Sequence, residues 1–523
     1  MDRPRDGPIC PSVTVSLADC LTSHDSCSHA ARQGSIVGAG IYVVIGFTAK
    51  DIAGPAIVLS YGIAGLAALS SGLSFAQLGK HVHTSGGAFE YSTAVFGELV
   101  GWLVGWSTVL EITLSSSAVS RGMRGYLLGT TGSSPSLDPV ALLLIALLSV
   151  ILCVGIRESA RFNMAVCSIN MSCILFVVLC SLRSASVSNL TQGDGFAPYG
   201  MSGVFSAAGI VFFSFIGFDY IPNAAEEAIN PTRDVPRSIV TSLLIASALY
   251  MGMAFSMVLM QPYLDIDLSA PYKAAFIAQG KQLAALVVSA GAVCGITTST
   301  MTGLLSNARL LAVLSRQRYL PFILSRIHES TATPVIATVF TGAVAGLLAL
   351  LVDISVLTEL VSAATLAIFT VVNIAALVCV LQSVHGDPPS SALLSLSSSS
   401  VPLTSGTPPI TGPIPTSWPV GMICASPIVA SALSRLTESA AASTMFTTVF
   451  VWLPACLMVS RIAHAPIWAP AFGVLSTGFL FCSLHAGSLV QYAVYIAVGY
   501  GVYMASSKRR REEAALVEYV EGL

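Results

Sequence analysis

Charged residues are scarce in this chain. Only 10% of its 523 residues are Asp, Glu, Lys or Arg, whereas 54% are hydrophobic. Soluble domains carry about a quarter charged residues, so the composition excludes an ordinary soluble protein. The formal net charge of −2 offers no basic surface for nucleic acid. We therefore expect a lipid bilayer as the surroundings of this protein and no nucleic acid partner.

Residue patterns for catalysis or metal binding are also missing. The twelve cysteines are scattered without short paired spacings, and most lie in apolar runs, where Cys behaves as a small hydrophobe. His81 and His83 share a short polar stretch without a third ligand nearby, which does not make a zinc site. No catalytic triad, phosphate-binding loop or metal cluster is recognisable. The sequence predicts a protein that is not an enzyme, has no cofactor or metal, and does not hydrolyse ATP.

Long apolar runs dominate what is present. They recur near 53–78, 92–128, 137–155, 162–182, 203–222, 237–261, 283–313, 335–352, 357–382, 417–433, 441–460, 466–485 and 488–506. A run of about 20 apolar residues is long enough to cross a bilayer as a helix. Together with a shorter first segment, the runs predict an all-α, multi-pass membrane protein with about fourteen transmembrane segments.

Polar stretches divide the chain. Residues 1–33 are polar and predicted to be disordered, and 34–382 hold the first ten segments. The Ser-, Pro- and Thr-rich stretch 383–416 is typical of a flexible loop. Segments eleven to fourteen occupy 417–506, and a charged tail follows at 507–523.

The distribution of cations predicts the orientation. With the N-terminus and the tail in the cytoplasm, most of the 24 Lys and Arg residues fall on the cytoplasmic side, which satisfies the positive-inside rule. The sequon Asn189-Leu-Thr191 then lies in an outer loop, where glycosylation is expected. The cations left outside are Lys50, Arg121, Arg124, Arg183, Lys273, Lys281 and Arg435.

The stretch Gly34-Ser-Ile-Val-Gly-Ala-Gly-Ile-Tyr42 opens the first apolar segment. Glycines suit a helix interior badly, and an opened backbone is tolerated in lipid only where protein buries it or it lines a cavity. The apolar run from Ile36 to Phe47 covers about 18 Å, less than a bilayer core of about 30 Å. The glycines therefore predict a helix break, although close helix packing through small residues is an alternative.

A second weak point occurs at Phe212-Phe-Ser-Phe-Ile-Gly-Phe-Asp219. Two interrupted helices in corresponding halves are typical of the central site of a secondary transporter. The amides at a half-helix N-terminus bind a carboxylate, and carbonyls freed at the other break accept hydrogen bonds from an ammonium group. This combination selects the backbone of an α-amino acid.

Acids inside apolar segments are functional candidates. Glu98 and Glu111 lie on the third segment, 92–128, and Asp219 ends the sixth segment. Glu98 and Glu111 are about 140° apart around a helix, so they do not share a face. For Glu111 and Asp219 a role in the site and a structural hydrogen bond both remain open.

Several motifs resemble the amino acid–polyamine–organocation superfamily, and within it the cationic amino acid transporter family. The similarity covers about 34–382 and, more weakly, 440–506. The motifs are Gly34 to Tyr42, Ala53-Gly-Pro-Ala56, Thr84-Ser-Gly-Gly-Ala88, Gly97-Glu-Leu99, Gly155-Ile-Arg-Glu-Ser-Ala160, Phe212 to Pro231, Leu360-Val-Ser-Ala-Ala-Thr-Leu366 and Gly499-Tyr-Gly-Val-Tyr503.

The resemblance implies a five-plus-five inverted repeat, the LeuT-like or APC fold, with four additional helices. It also implies alternating-access transport of arginine or lysine across a plasma or vacuolar membrane, with protons as an open coupling ion. The residues that it implicates take separate roles. Ile36, Gly38, Ala39 and Gly40 bind the carboxylate; Phe213, Ser214, Ile216 and Asp219 bind the ammonium group; and Glu98 and Glu111 favour a cationic side chain.

Three departures from the family pattern keep an alternative open. Bacterial proton-coupled relatives carry a Lys in segment five where this chain has Asn170, so Asn170 is a candidate coupling position. After segment eight, where the family usually has Ala-Arg-Asp-Gly, this chain has Ser315-Arg-Gln-Arg318. The first half of segment one is absent or replaced by the polar residues 11–33. A gene-model error explains that difference; so does an amino acid sensor or degenerate relative that does not transport.

Overall fold

A computed structural model describes residues 38, 40–79, 87–129, 137–154, 159–191, 195–220, 231–328, 333–384 and 468–521. These residues form helices joined by short turns, and they contain no strand beyond one isolated bridge between His328 and Thr333. The polar N-terminal segment 1–33 and the predicted segments near 417–433 and 441–460 lie outside the described residues. So does the Ser/Pro-rich loop, apart from its first two residues, which end a helix.

The helices follow the apolar runs closely. Six helical runs are long and apolar enough to cross a membrane, and five shorter apolar helices accompany them among the described residues. The all-helical prediction is therefore confirmed for this part of the chain. The helices are α1 (Gly40–Thr48), α2 (Ile57–Leu78), α3 (Gly87–Phe96), α4 (Glu98–Leu128), α5 (Pro139–Val154), α6 (Ser159–Leu182), α7 (Gly200–Val211), α8 (Pro231–Met260), α9 (Pro271–Ala278), α10 (Gln282–Arg316), α11 (Val335–Leu351), α12 (Ile354–Val384), α13 (Trp468–Ser483) and α14 (Ala486–Glu521).

Two boundaries differ from the sequence-based expectation. The apolar run 92–128 divides at Gly97, whose φ of 88° favours glycine, so that α3 ends at Phe96 and α4 begins at Glu98. Helix α14 continues to Glu521 across the predicted start of the tail at residue 507. Glu98 therefore occupies a helix end rather than the middle of a segment.

Cations predicted to lie outside bind the carbonyl ends of helices. Arg121 of α4 is 8% exposed, and its Nη1 donates to the Ala349 carbonyl at 3.0 Å and to the Val352 carbonyl at 2.5 Å, at the end of α11. Lys273 Nζ donates to the Tyr126 carbonyl at 2.8 Å, near the end of α4. Terminal carbonyls have no partner within their own helix and carry the negative end of its dipole. These cations therefore stabilise helix ends.

The amide of Asn189, which would carry a glycan, is not free to do so. Asn189 is 8% exposed, and its Nδ2 donates a 2.8 Å hydrogen bond to the Leu259 carbonyl. Glycosylation of the sequon would require this buried hydrogen bond to break.

A polar cluster attaches α13 to the rest of the bundle. Asn373 of α12 is fully buried, and its Nδ2 donates to Ser71 Oγ of α2 at 3.1 Å. The hydroxyls of Thr370 and Thr477 lie 2.9 Å apart between α12 and α13. Interhelical hydrogen bonds of this kind hold membrane helices together where lipid gives no hydrophobic driving force between them.

Candidate functional site

The first predicted break lies at the edge of the described residues. The described part of α1 starts at Gly40, and Gly38 forms a buried bend before it. The first amides of a helix have no acceptor within it, so the positive end of α1 faces the protein interior. The backbone of Gly38 is in hydrogen-bonding contact with the Tyr250 hydroxyl. Ile36 and Ala39 lie outside the described residues.

The second predicted break is present between Val211 and Asp219. Helix α7 ends at Val211, and a 3₁₀ turn follows at Phe212–Phe215. Ile216 is then extended, with φ −60° and ψ 140°, and Gly217 has a φ of 122°. This backbone no longer follows the α-helical hydrogen-bond pattern, although it is buried. The Phe213 carbonyl accepts a 3.3 Å hydrogen bond from Ile216 N within this turn.

The two breaks are in direct contact. A Cβ added to Gly40 would lie 2.6 Å from Ser214 Cα and 3.0 Å from Ser214 Oγ, so only glycine fits there without a shift of backbone. Ser214 Oγ also lies 3.4 Å from the hydroxyl of Tyr61 on α2. The structure thus brings Gly40 and Ser214 into direct contact.

Two buried acids lie beside the second break. Gly217 N donates to Asp219 Oδ1 at 3.1 Å, and Asp219 is 7% exposed. Glu111 of α4 is fully buried and interacts electrostatically with Asp219. Neither carboxylate oxygen of Glu111 has a hydrogen-bond partner among the described residues. The Thr365 hydroxyl lies close enough to interact with Glu111, but its hydrogen is directed to the Val361 carbonyl at 2.9 Å.

The other two candidate side chains, Glu98 and Asn170, have contacts of their own. Glu98 starts α4, about 20 Å along the helix axis from Glu111 at 1.5 Å per residue, and accepts a 3.0 Å hydrogen bond from the Tyr319 hydroxyl. Asn170 of α6 is 1% exposed and packs against Gly295 of α10. The structure therefore does not bring Glu98 to the breaks.

Sequence reasoning missed a cluster of buried tyrosines next to the breaks. The ring of Tyr42 makes edge contacts with the rings of Tyr126 and Tyr272, with centroids 5.9 Å and 6.2 Å apart. Tyr61 and Tyr250 form a second pair, 6.1 Å apart. These residues lie on separate helices, α1, α2, α4, α8 and α9, so no local pattern in the sequence could have grouped them.

A groove of about 450 Å³ opens elsewhere, between α6 and α10. It contains none of the break residues or buried acids, so it is separate from the candidate site. Its lining residues are Ser168, Ile169, Ser172, Cys173, Phe176 and Val287.

Comparisons with known proteins identify relatives of this chain. A family model described as "Amino acid permease" matches residues 30–394. The chain is 37% identical to "Cationic amino acid transporter 7, chloroplastic" of Arabidopsis thaliana over 361 residues, covering 65% of this chain and 62% of the relative. It is 34% identical to "Cationic amino acid transporter 4, vacuolar" of the same species over 411 residues, covering 75% and 67%.

A bacterial protein is similar over a comparable length. The chain is 33% identical to the "Methylthioribose transporter" of Bacillus subtilis over 384 residues, which cover 70% of this chain and 82% of that protein. By contrast, the chain spans less than two thirds of the length of the first Arabidopsis relative. The family model covers well over half of the chain and includes both helix breaks and both buried acids. The chain therefore belongs to the amino acid permease family.

Proposed function

We propose that this protein is a secondary transporter that moves amino acids, preferentially arginine and lysine, across a membrane by alternating access. The observation that carries the proposal is the contact between Gly40 and Ser214, where two interrupted helical segments meet inside a bundle of apolar helices. Discontinuous helices that meet in this way supply backbone groups to a polar substrate in an otherwise apolar interior.

The α-carboxylate of the substrate binds at the start of α1. Gly38 and Gly40, with the neighbouring Ile36 and Ala39, provide the backbone amides. A helix N-terminus favours an anion because its first N–H groups are unpaired and its dipole is positive at that end.

The α-ammonium group binds at the second break. The carbonyls of Phe213, Ser214 and Ile216 accept its hydrogen bonds, and the carboxylate of Asp219 balances its charge. An ammonium group has three donors and no acceptor, so a cluster of carbonyls and one carboxylate suits it. Gly217 supports this arrangement because its φ of 122° turns the backbone.

Glu111 supplies the preference for a cationic side chain. A buried carboxylate without a donor is costly, and a cation from the substrate removes that cost. The names of the relatives support amino acid transport, but they include one for methylthioribose. The proposed preference for cations therefore rests on the buried carboxylate of Glu111.

Counterflow in proteoliposomes tests the proposal. Vesicles that contain the purified protein and unlabelled lysine should accumulate labelled lysine saturably, whereas vesicles without protein should not. Binding of lysine without exchange would instead indicate an amino acid sensor. In the same vesicles, a pH gradient that drives lysine uphill would show proton symport, and exchange without uphill movement would show uniport.

A pair of glycine variants links the exchange to the contact between the breaks. Gly40→Ala forces a Cβ to within 2.6 Å of Ser214 Cα, so exchange of every amino acid should fall by at least about tenfold. Gly62→Ala is the matched control, since its Cβ would lie 3.7 Å from Met251, an ordinary contact. Equal activity of the two variants would contradict the proposed site.

A further inference from the structure

Helix α14, which lies beyond the residues matched by the family model, is attached to α4 by an aromatic cluster. The indole Nε1 of Trp102 donates to the Gly499 carbonyl at 2.8 Å, and that of Trp106 donates to the Tyr495 carbonyl at 3.2 Å. The Tyr495 hydroxyl donates back to the Trp106 carbonyl at 3.1 Å. The Trp106 and Tyr495 rings stack with centroids 5.1 Å apart. These paired hydrogen bonds fix the register of α14 against α4.

This register places Tyr492 opposite Ser107. Tyr492 is 8% exposed, and its hydroxyl lies 3.0 Å from Ser107 Oγ. Ser107 has one hydroxyl hydrogen, which it donates to the Leu103 carbonyl at 2.8 Å. Tyr492 must therefore be the donor in its hydrogen bond with Ser107.

Ser107 and Glu111 are four residues apart on α4 and so share one face of the helix. Glu111 accordingly interacts electrostatically with Tyr492. The neighbours of Glu111 include Asp219, Thr365 and Tyr492. Asp219 repels a charged Glu111, and the Thr365 hydroxyl also donates to the Val361 carbonyl. The Tyr492 hydroxyl, which donates to the neutral Ser107 hydroxyl on the same face of α4, is the donor that α14 adds to these surroundings.

We propose that Tyr492 is a positioning residue for Glu111, and that α14 thereby completes the selectivity site. When Glu111 is ionised, the Tyr492 hydroxyl leaves Ser107 and donates to the carboxylate. A hydrogen bond to a charged acceptor is stronger than one to a neutral acceptor, which favours the exchange of partners. The bond holds the carboxylate in place for the substrate's side-chain cation. This inference rests on the proposed function of Glu111.

Tyr492→Phe and Tyr495→Phe provide a matched pair, because each removes one hydrogen-bonded phenol hydroxyl from the same helix. The test measures lysine exchange in proteoliposomes and its inhibition by norleucine, which lacks the terminal ammonium group. Tyr492→Phe should raise the KM for lysine about tenfold, the lower end of the scale for one hydrogen bond to a charged group. Its maximal rate and its inhibition constant for norleucine should change little. Tyr495→Phe should leave the ratio of the lysine and norleucine constants unchanged.

Two further variants separate positioning from packing. Ser107→Ala removes the present acceptor of the Tyr492 hydroxyl, so the KM for lysine should stay the same or fall. In a Glu111→Gln background, Tyr492→Phe should have no additional effect on lysine, since coupled residues are not additive.

An equal loss for lysine and norleucine in Tyr492→Phe, or an undiminished effect in the Glu111→Gln background, would overturn the inference. So would a higher lysine KM in Ser107→Ala. If the unmodified protein exchanges lysine and Tyr492→Phe has the same KM for lysine, only this inference fails. If the unmodified protein does not exchange lysine at all, the proposed function fails.

Discussion

Helix α4 carries a buried acid and a buried base, and the two have opposite surroundings. Arg121 is 8% exposed and donates to the carbonyls of Ala349 and Val352. Glu111 is fully buried and has no hydrogen-bond partner among the described residues. Both charges are costly in a membrane helix, yet only the base is compensated within the described part of the chain.

This difference indicates a structural role for Arg121 and a functional role for Glu111. A charge that binds the end of a neighbouring helix stabilises the fold in every state of the protein. A buried carboxylate without a donor destabilises the empty state, and a ligand of opposite charge relieves that cost. We therefore expect substitution of Arg121 to change stability and substitution of Glu111 to change selectivity.

The largest effect is expected for Glu111→Gln. The amide keeps the shape of the side chain but removes its negative charge, so lysine exchange should fall by about tenfold or more. Exchange or binding of norleucine should change much less. Proteoliposome exchange with both substrates measures the ratio, and an equal loss for both would indicate a structural role for Glu111.

A smaller and different effect is expected for Arg121→Met. Methionine keeps much of the length of arginine but leaves the carbonyls at the end of α11 without their donor, at a cost of about 2 kcal/mol. The thermal midpoint of the purified protein should fall by several degrees. The ratio of lysine to norleucine exchange should stay constant; a selective loss of lysine would show that Arg121 also acts on the substrate.

The smallest effect is expected for Glu98→Gln, on the same helix as Glu111. Glu98 lies at the first position of α4 and accepts a hydrogen bond from Tyr319, and a glutamine oxygen can accept the same bond. Lysine exchange should stay within about twofold of the unmodified protein. A selective loss of lysine would instead support the selectivity role suggested by the Gly-Glu-Leu motif.

Much of the helical architecture follows from local sequence. The apolar runs predict most helices because burial in lipid depends on length and hydrophobicity alone. The break near Gly217 was also predictable, since glycine weakens a helix wherever it occurs. The division at Gly97 was not predicted, because the run 92–128 is apolar on both sides of it. That division changes the position of Glu98 from the middle of a segment to the start of a helix.

The sequence alone does not distinguish the three acids from one another. Glu98, Glu111 and Asp219 are each a carboxylate in an apolar segment, and the local sequence makes all three functional candidates. Their hydrogen-bond partners come from residues far away in the chain: Tyr319 binds Glu98, whereas Tyr492 lies beside Glu111 and donates to Ser107.

The sequence by itself determined that this protein is a bundle of apolar helices with glycine-weakened breaks, because hydrophobicity and backbone freedom are properties of single residues and short runs. Only the tertiary structure decided that Gly40 meets Ser214, that Arg121 binds the end of α11, and that Glu111 lies near Asp219 and Tyr492. Those facts depend on which distant groups come within hydrogen-bonding distance, and packing of the whole chain sets that distance.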